Sequence, residues 1–290
     1  MIEIREPLLR EYERWLKEIG DDPYCQDCVI GIHDVLRAHF LLVDYFFNEG
    51  EGIGGIGPKS LNMLHSAISR QVVGYGGKRK WTDDFDLCAT LFYGLIKNHP
   101  FHDCNKRTAL LISLYYLQRI GRTPDAPQKE FENLTVRVAE SKLSNYPAFK
   151  RFSKSEDADV LFISNFFRRN TRVIDNQHYV ITYNQLKTIL SRYGYRLTHP
   201  SDNYIDVVRD VVKTTGIFRK TKSIVTERVT QIGFPGWKSE VSRNTIKRVR
   251  EATKLAVKDG VDSKAFFHGI DSMEALISAY RGPLERLARK

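Results

Sequence analysis

The sequence predicts a mainly α-helical domain over residues 1–150, carrying one small β-hairpin, followed by a mixed α+β domain over residues 151–290. Three observations predict this. Apolar residues recur at three- and four-residue spacing through most of the first half. Near Tyr146-Pro147 the pattern gives way to a polar run, Ser153-Lys154-Ser155-Glu156-Asp157, and then to short β-branched segments. The charge is also divided: residues 1–150 hold 19 Lys+Arg against 20 Asp+Glu, and residues 151–290 hold 26 against 15, so the net charge of +10 belongs to the second half.

Taken in order, residues 7–19 read as an amphipathic helix with Leu8, Leu9, Tyr12, Trp15 and Leu16 on one side. Cys25 and Cys28 form a C-x-x-C, but Cys88 and Cys104 stand alone, so two ordinary thiols are expected rather than a zinc site. Val29 to Phe47 is a core helix, ended by Asn48-Glu49-Gly50-Glu51-Gly52. Gly52, Gly54 and Gly57 spell G-x-G-x-x-G. No strand precedes them and Pro58 follows at once, so a dinucleotide fingerprint is rejected in favour of a flexible loop. Lys59 to Gln71 is a helix, and Val72 to Lys80 a hairpin around Gly76-Gly77. Thr82 is the expected N-cap of a helix running to Lys97. A further helix spans Thr108 to Gly121, stopped by Arg122-Thr123-Pro124, and another Phe131 to Ser144.

Between those helices lies His99-Pro100-Phe101-His102-Asp103-Cys104-Asn105-Lys106-Arg107. His99 can accept a proton near neutral pH. Asp103 is a hard oxygen ligand, suited to Mg²⁺ that already carries phosphates. Asn105, Lys106 and Arg107 add donors and positive charge where a helix begins, and helix N-termini attract anions. These nine residues point to transfer of a phosphate-containing group onto a hydroxyl.

The same residues resemble the signature loop of the Fic/Doc family, H-x-F-x-D/E-G-N-G/K-R; Cys104 departs from it, standing where Gly is usual. The resemblance covers roughly the first half and implies a Fic/Doc-like helical fold. It implies His99 as the base, Asp103 as the metal ligand, and Cys104, Asn105, Lys106 and Arg107 as the phosphate cradle. Tyr75, Gly76, Gly77 and Lys78 match the flap that holds the target segment by strand addition. ATP as co-substrate, Mg²⁺, and a protein target bearing a Ser, Thr or Tyr hydroxyl follow from it. Lys106 and Leu110 stand where members that transfer AMP have Gly and a second Arg. Both positions resemble the Doc branch, so phosphoryl transfer is favoured over AMPylation. The inhibitory pattern S/T-x-x-x-E-G/N is absent at Glu49, Glu51 and Glu132. Restraint is therefore expected from an antitoxin-like partner, as in toxin-antitoxin pairs, or from residues 151–290.

The second half reads as a short helix from Leu161 to Arg169 and strands at 179–181, 204–208, 216–218 and 223–229. A helix at 183–193, a basic helix at 241–257 and helices near 272–280 and 283–289 complete it. In the basic helix Arg243, Lys247, Arg250 and Lys254 are expected outward. The charge makes nucleic acid a candidate partner, and a nucleic-acid-binding regulator is the reading from another class. No run approaches a membrane span and the N-terminus lacks a signal-peptide core, so a cytoplasmic protein is expected.

Overall fold

A computed structural model describes residues 4–48, 55–174, 181–215, 221–256, 259, 261, 263–268 and 272–289. The strands expected at 179–181 (apart from Ile181) and 216–218, and most of the loop at 48–54, lie outside the described residues. The chain divides into two compact units, Met1–Ile174 with Asp271–Lys290, and Asp175–Ile270.

The first unit is mainly helical: α1 (Leu8–Ile19), α2 (Ile32–Asn48), α3 (Leu61–Ser69), hairpin strands β1 (Gly74–Tyr75) and β2 (Lys78–Arg79), α4 (Asp84–Lys97), α5 (Asn105–Arg119), β3 (Arg122–Pro124), α6 (Gln128–Ala139), α7 (Ala158–Arg169) and β4 (Thr171–Val173). Helix α5 is its axis. Every residue from Arg107 to Gln118 is buried, as expected of a helix surrounded by others rather than lying on a surface. Helices α2, α4 and α6 pack round it. The cap of α4 is Asp83, one residue beyond Thr82: its carboxylate accepts from the Phe85 N–H at 2.9 Å. Arg122-Thr123-Pro124 does more than stop α5, because it pairs antiparallel with β4.

The boundary expected at residue 150 is not where the units divide. The polar run Ser153–Asp157 is a turn within the first unit, because the aromatic residues flanking it are in contact. Phe149 and Phe152 meet Phe162 of α7 at 5.6 and 6.0 Å, and Phe167 meets Phe92 of α4 at 5.5 Å.

The second unit contains α8 (Tyr183–Arg192), an antiparallel sheet β5 (Tyr195–Ser201), β6 (Tyr204–Thr215) and β7 (Thr221–Gly233), then α9 (Arg243–Ala252) and α10 (Ser263–His268). Leu197, Ile205, Val207 and Ile232 of the sheet share a core with Leu186, Ile189 and Leu190 of α8, Ile246 and Val249 of α9, and Phe266 and Phe267 of α10. Strand β5 was not anticipated, since Tyr195–Ser201 buries only Leu197 and carries little periodicity. Arg250, expected outward, is buried. Its guanidinium donates to the Leu255 and Val261 carbonyls at 2.9 and 2.6 Å and lies over Phe266.

The chain then returns to the first unit as α11 (Ser272–Ala279) and α12 (Arg281–Ala288), where Met273, Ile277, Tyr280, Leu284 and Leu287 enter its core. Helix α12 is tied to α6 by Arg286, which donates to the fully buried Glu132 carboxylate at 2.7 and 2.8 Å.

Candidate active site

The nine-residue stretch forms the turn between α4 and the axial helix α5, and it is built by few interactions. Asn105 closes it: the Phe101 N–H donates to Asn105 Oδ1 at 2.9 Å, and Asn105 Nδ2 donates to the Phe101 carbonyl at 2.8 Å. Its amide thus shapes the loop. Phe101 is buried and stacks on His39 of α2, rings 3.9 Å apart and 7° from parallel. Cys104 sits at the start of α5 with φ of 61° and ψ of 11°. That is the left-handed region, where a Cβ costs roughly 1–2 kcal/mol and glycine does not, which explains physically why Gly is usual there. Burial pushes the Cys104 thiol up to about 12, so it stays protonated and is no nucleophile.

Gly57 and Pro58, expected in a flexible loop, and Lys59, expected to open a helix that starts only at Leu61, are pinned along this turn. The Lys59 N–H donates to the Pro100 carbonyl at 2.7 Å and the His102 N–H to the Gly57 carbonyl at 3.3 Å. Gly57 has φ of 81°, and a Cβ on it would meet the Trp15 indole nitrogen at 2.6 Å, so no other residue fits.

His39 is the main component that sequence reasoning missed; an isolated His within an apolar helix gives no signal. The Gly57 N–H donates to its Nε2 at 3.1 Å, so Nδ1 carries the proton and faces Thr108 Oγ1 at 3.4 Å. Complete burial lowers its pKa from 6.5 to about 3. The unfolded chain takes up this proton below about 6.5 and the folded chain resists until about 3, so stability is lost as pH falls through that window. Going from pH 7 to pH 4 is expected to cost about 3 kcal/mol through His39. Urea denaturation at both pH values checks this: in His39→Gln the difference should shrink by that amount, and an undiminished difference would refute a buried neutral imidazole.

On this frame a cleft of about 210 Å³, partly open to solvent, is lined by His99, His102, Asp103, Cys104, Asn105, Lys106 and Arg107. His99 is exposed, with φ of 45°. One oxygen of Asp103 accepts from the Cys104 N–H, and the other lies 3.6 Å from Arg107 Nη2. Arg107 is 2% exposed, lies over the Phe46 ring at 4.9 Å, and its Nη1 is buried with no hydrogen-bond partner. Partial burial pulls the Lys106 ammonium below its ordinary value, with Asp103 opposing. Such a cleft, with two cations at a helix N-terminus and one carboxylate, suits an anion and a divalent ion together. The rest of the lining is apolar: Ala139, and Leu287 and Ala288 of α12. The hairpin β1–β2 forms where expected, with Gly76 and Gly77 both at positive φ and Tyr75 95% exposed. Among the described residues no group of three or more His, Cys, Asp or Glu could hold a metal, and no helix is long and apolar enough to cross a membrane.

A buried axial helix opens on a histidine, a carboxylate and an arginine whose Nη1 has no hydrogen-bond partner, the arrangement expected of the Fic/Doc class of helical domain. Residues 27–117 match the family model described as Fic/DOC family, so the chain carries a Fic/DOC domain there. It is similar to "Protein kinase doc" of Escherichia phage P1, 41% identical over 64 residues, which are 22% of this chain and 49% of the relative. The chain thus spans about half the length of that curated relative. No solved structure matches.

Proposed function

We propose that this chain is a Doc-like transferase that moves the γ-phosphoryl group of ATP onto a Ser, Thr or Tyr hydroxyl of a target protein. The observation that carries the reading is Arg107, a buried cation with an unsatisfied Nη1 in the same cleft as the exposed His99 and Asp103. An unpaired buried donor is costly in isolation, and phosphate oxygens satisfy it. His99 takes the hydroxyl proton as the oxygen attacks phosphorus; the new O–P bond forms as the bond to the β-bridging oxygen breaks, and ADP leaves. Arg107, Lys106 and the first-turn N–H groups of α5 hold the phosphates, while Asn105 keeps the turn in shape. Asp103 would hold a magnesium ion, which neutralises phosphate charge. Tyr75, Gly76, Gly77 and Lys78 present the target by strand addition. Positioning and charge stabilisation supply the rate.

Phosphoryl transfer is favoured over AMP transfer by Lys106, which adds charge and bulk in the cleft, and by Leu110, buried where a second arginine would be needed. The likeness to a protein named as a kinase supports the same choice. Incubation with cell extract and ATP labelled at the α or γ phosphate tests it. Label is expected on protein from the γ position; label from the α position would replace this reading with AMPylation. An antitoxin-like protein is the proposed restraint, and the cytoplasm, where ATP is supplied, the proposed compartment.

A further inference from the structure

The charge excess has a place in the fold. Residues 175–270 hold 17 Lys+Arg against 9 Asp+Glu, a net of +8, whereas the first unit holds 28 against 26. Within the second unit the cations described on the sheet are neutralised: Arg196 pairs with Asp210 at 2.6 Å, Arg209 with Glu227 at 3.3 Å, and Arg228 lies 3.7 Å from Asp206. Helix α9 differs. Ile246, Val249 and Arg250 turn inward, and Arg243, Asn244, Lys247, Arg248 and a single acid, Glu251, are exposed on the other side, with Lys254 just beyond the last turn. Among the described residues none of Arg243, Lys247, Arg248 and Lys254 forms an ion pair. The face begins at an N-terminus capped by Ser242, so the dipole adds to its positive potential.

We infer that the outer face of α9 binds the phosphate backbone of a nucleic-acid duplex. Unpaired cations in two adjacent rows of one helix make a polyanion site whose strength comes from counterion release. The described exposed aromatic of this unit, Tyr204, is on the sheet. With no stacking ring on α9 among the described residues, the platform that single-strand binders use is missing there. The contact is to phosphates, not to bases, so binding is independent of sequence. This inference does not rest on the transfer reaction.

Fluorescence anisotropy of the full chain with labelled RNA duplex, DNA duplex and single strand, at about 50 and 200 mM salt, tests it. Either duplex is expected to bind more tightly than single strand, with a log–log salt slope of roughly −3 for three to four phosphates; which duplex binds better identifies the source of the phosphates. The variant Arg243→Gln/Lys247→Gln/Arg248→Gln should lose about tenfold or more in affinity and most of the salt slope. The variant Arg196→Gln/Arg209→Gln/Arg228→Gln, with the same change in charge, should not. If α9 tolerates the triple change poorly, as melting would reveal, Lys247→Gln alone should lower the slope by about one. Absence of duplex binding at the lower salt, preference for single strand, or equal losses in the two triple variants would overturn the proposal.

Discussion

Replacing His99 by Ala is expected to reduce transfer to a protein hydroxyl by roughly 10²–10⁴-fold, the usual worth of a positioned general base, while ATP still binds. The separation follows from the geometry. His99 is exposed at the cleft, and the turn is held by other groups, Asn105 on Phe101 and His39 beneath it. Removing the imidazole therefore takes away a proton acceptor without loosening the frame. Calorimetric titration with ATP, beside a transfer assay with labelled nucleotide, measures both. Undiminished transfer would remove His99 as base; lost ATP binding would make it a ligand contact instead.

Arg107→Met is expected to raise the dissociation constant for ATP by roughly 10²-fold, the worth of one or two charge-assisted hydrogen bonds, with the melting temperature unchanged or higher. Arg107 is 2% exposed, and its carboxylate contact, to Asp103, is 3.6 Å long. A buried cation so poorly compensated costs stability, and an apolar chain of similar volume often recovers it. Met keeps the contact with Phe46 and removes the charge. A fall of several degrees with ATP affinity intact would make Arg107 a structural residue.

The helical character of the first unit was legible because α2 and α4 each bury enough apolar residues to impose a 3.6-residue period. The hairpin was legible because two adjacent positive-φ positions call for Gly76-Gly77. The loop residues were legible as chemistry, but their duties were not. Asn105 was expected to contact phosphate, and the turn uses both of its amide atoms; nothing in the spacing reveals where a side-chain amide finds its partners. The domain boundary failed for a similar reason. Ser153–Asp157 is as polar as a linker, and the edge-on packing of Phe149 and Phe152 against Phe162 that makes it a turn is a contact between side chains.

By itself the sequence determined the helical class of the first unit, the signature turn at the head of α5, and the basic excess of the later residues, since each is written in residue type and near-neighbour spacing. Only the tertiary structure decided that His39 supports Phe101, that Gly57–Lys59 is pinned along the turn, that α12 walls the cleft after the chain has passed through a second unit, and that, among the described residues, Arg196, Arg209 and Arg228 of the sheet find carboxylates while Arg243, Lys247 and Arg248 of α9 do not. These depend on contacts between residues far apart in the chain, set by which surfaces can be buried together, and local pattern carries no record of them.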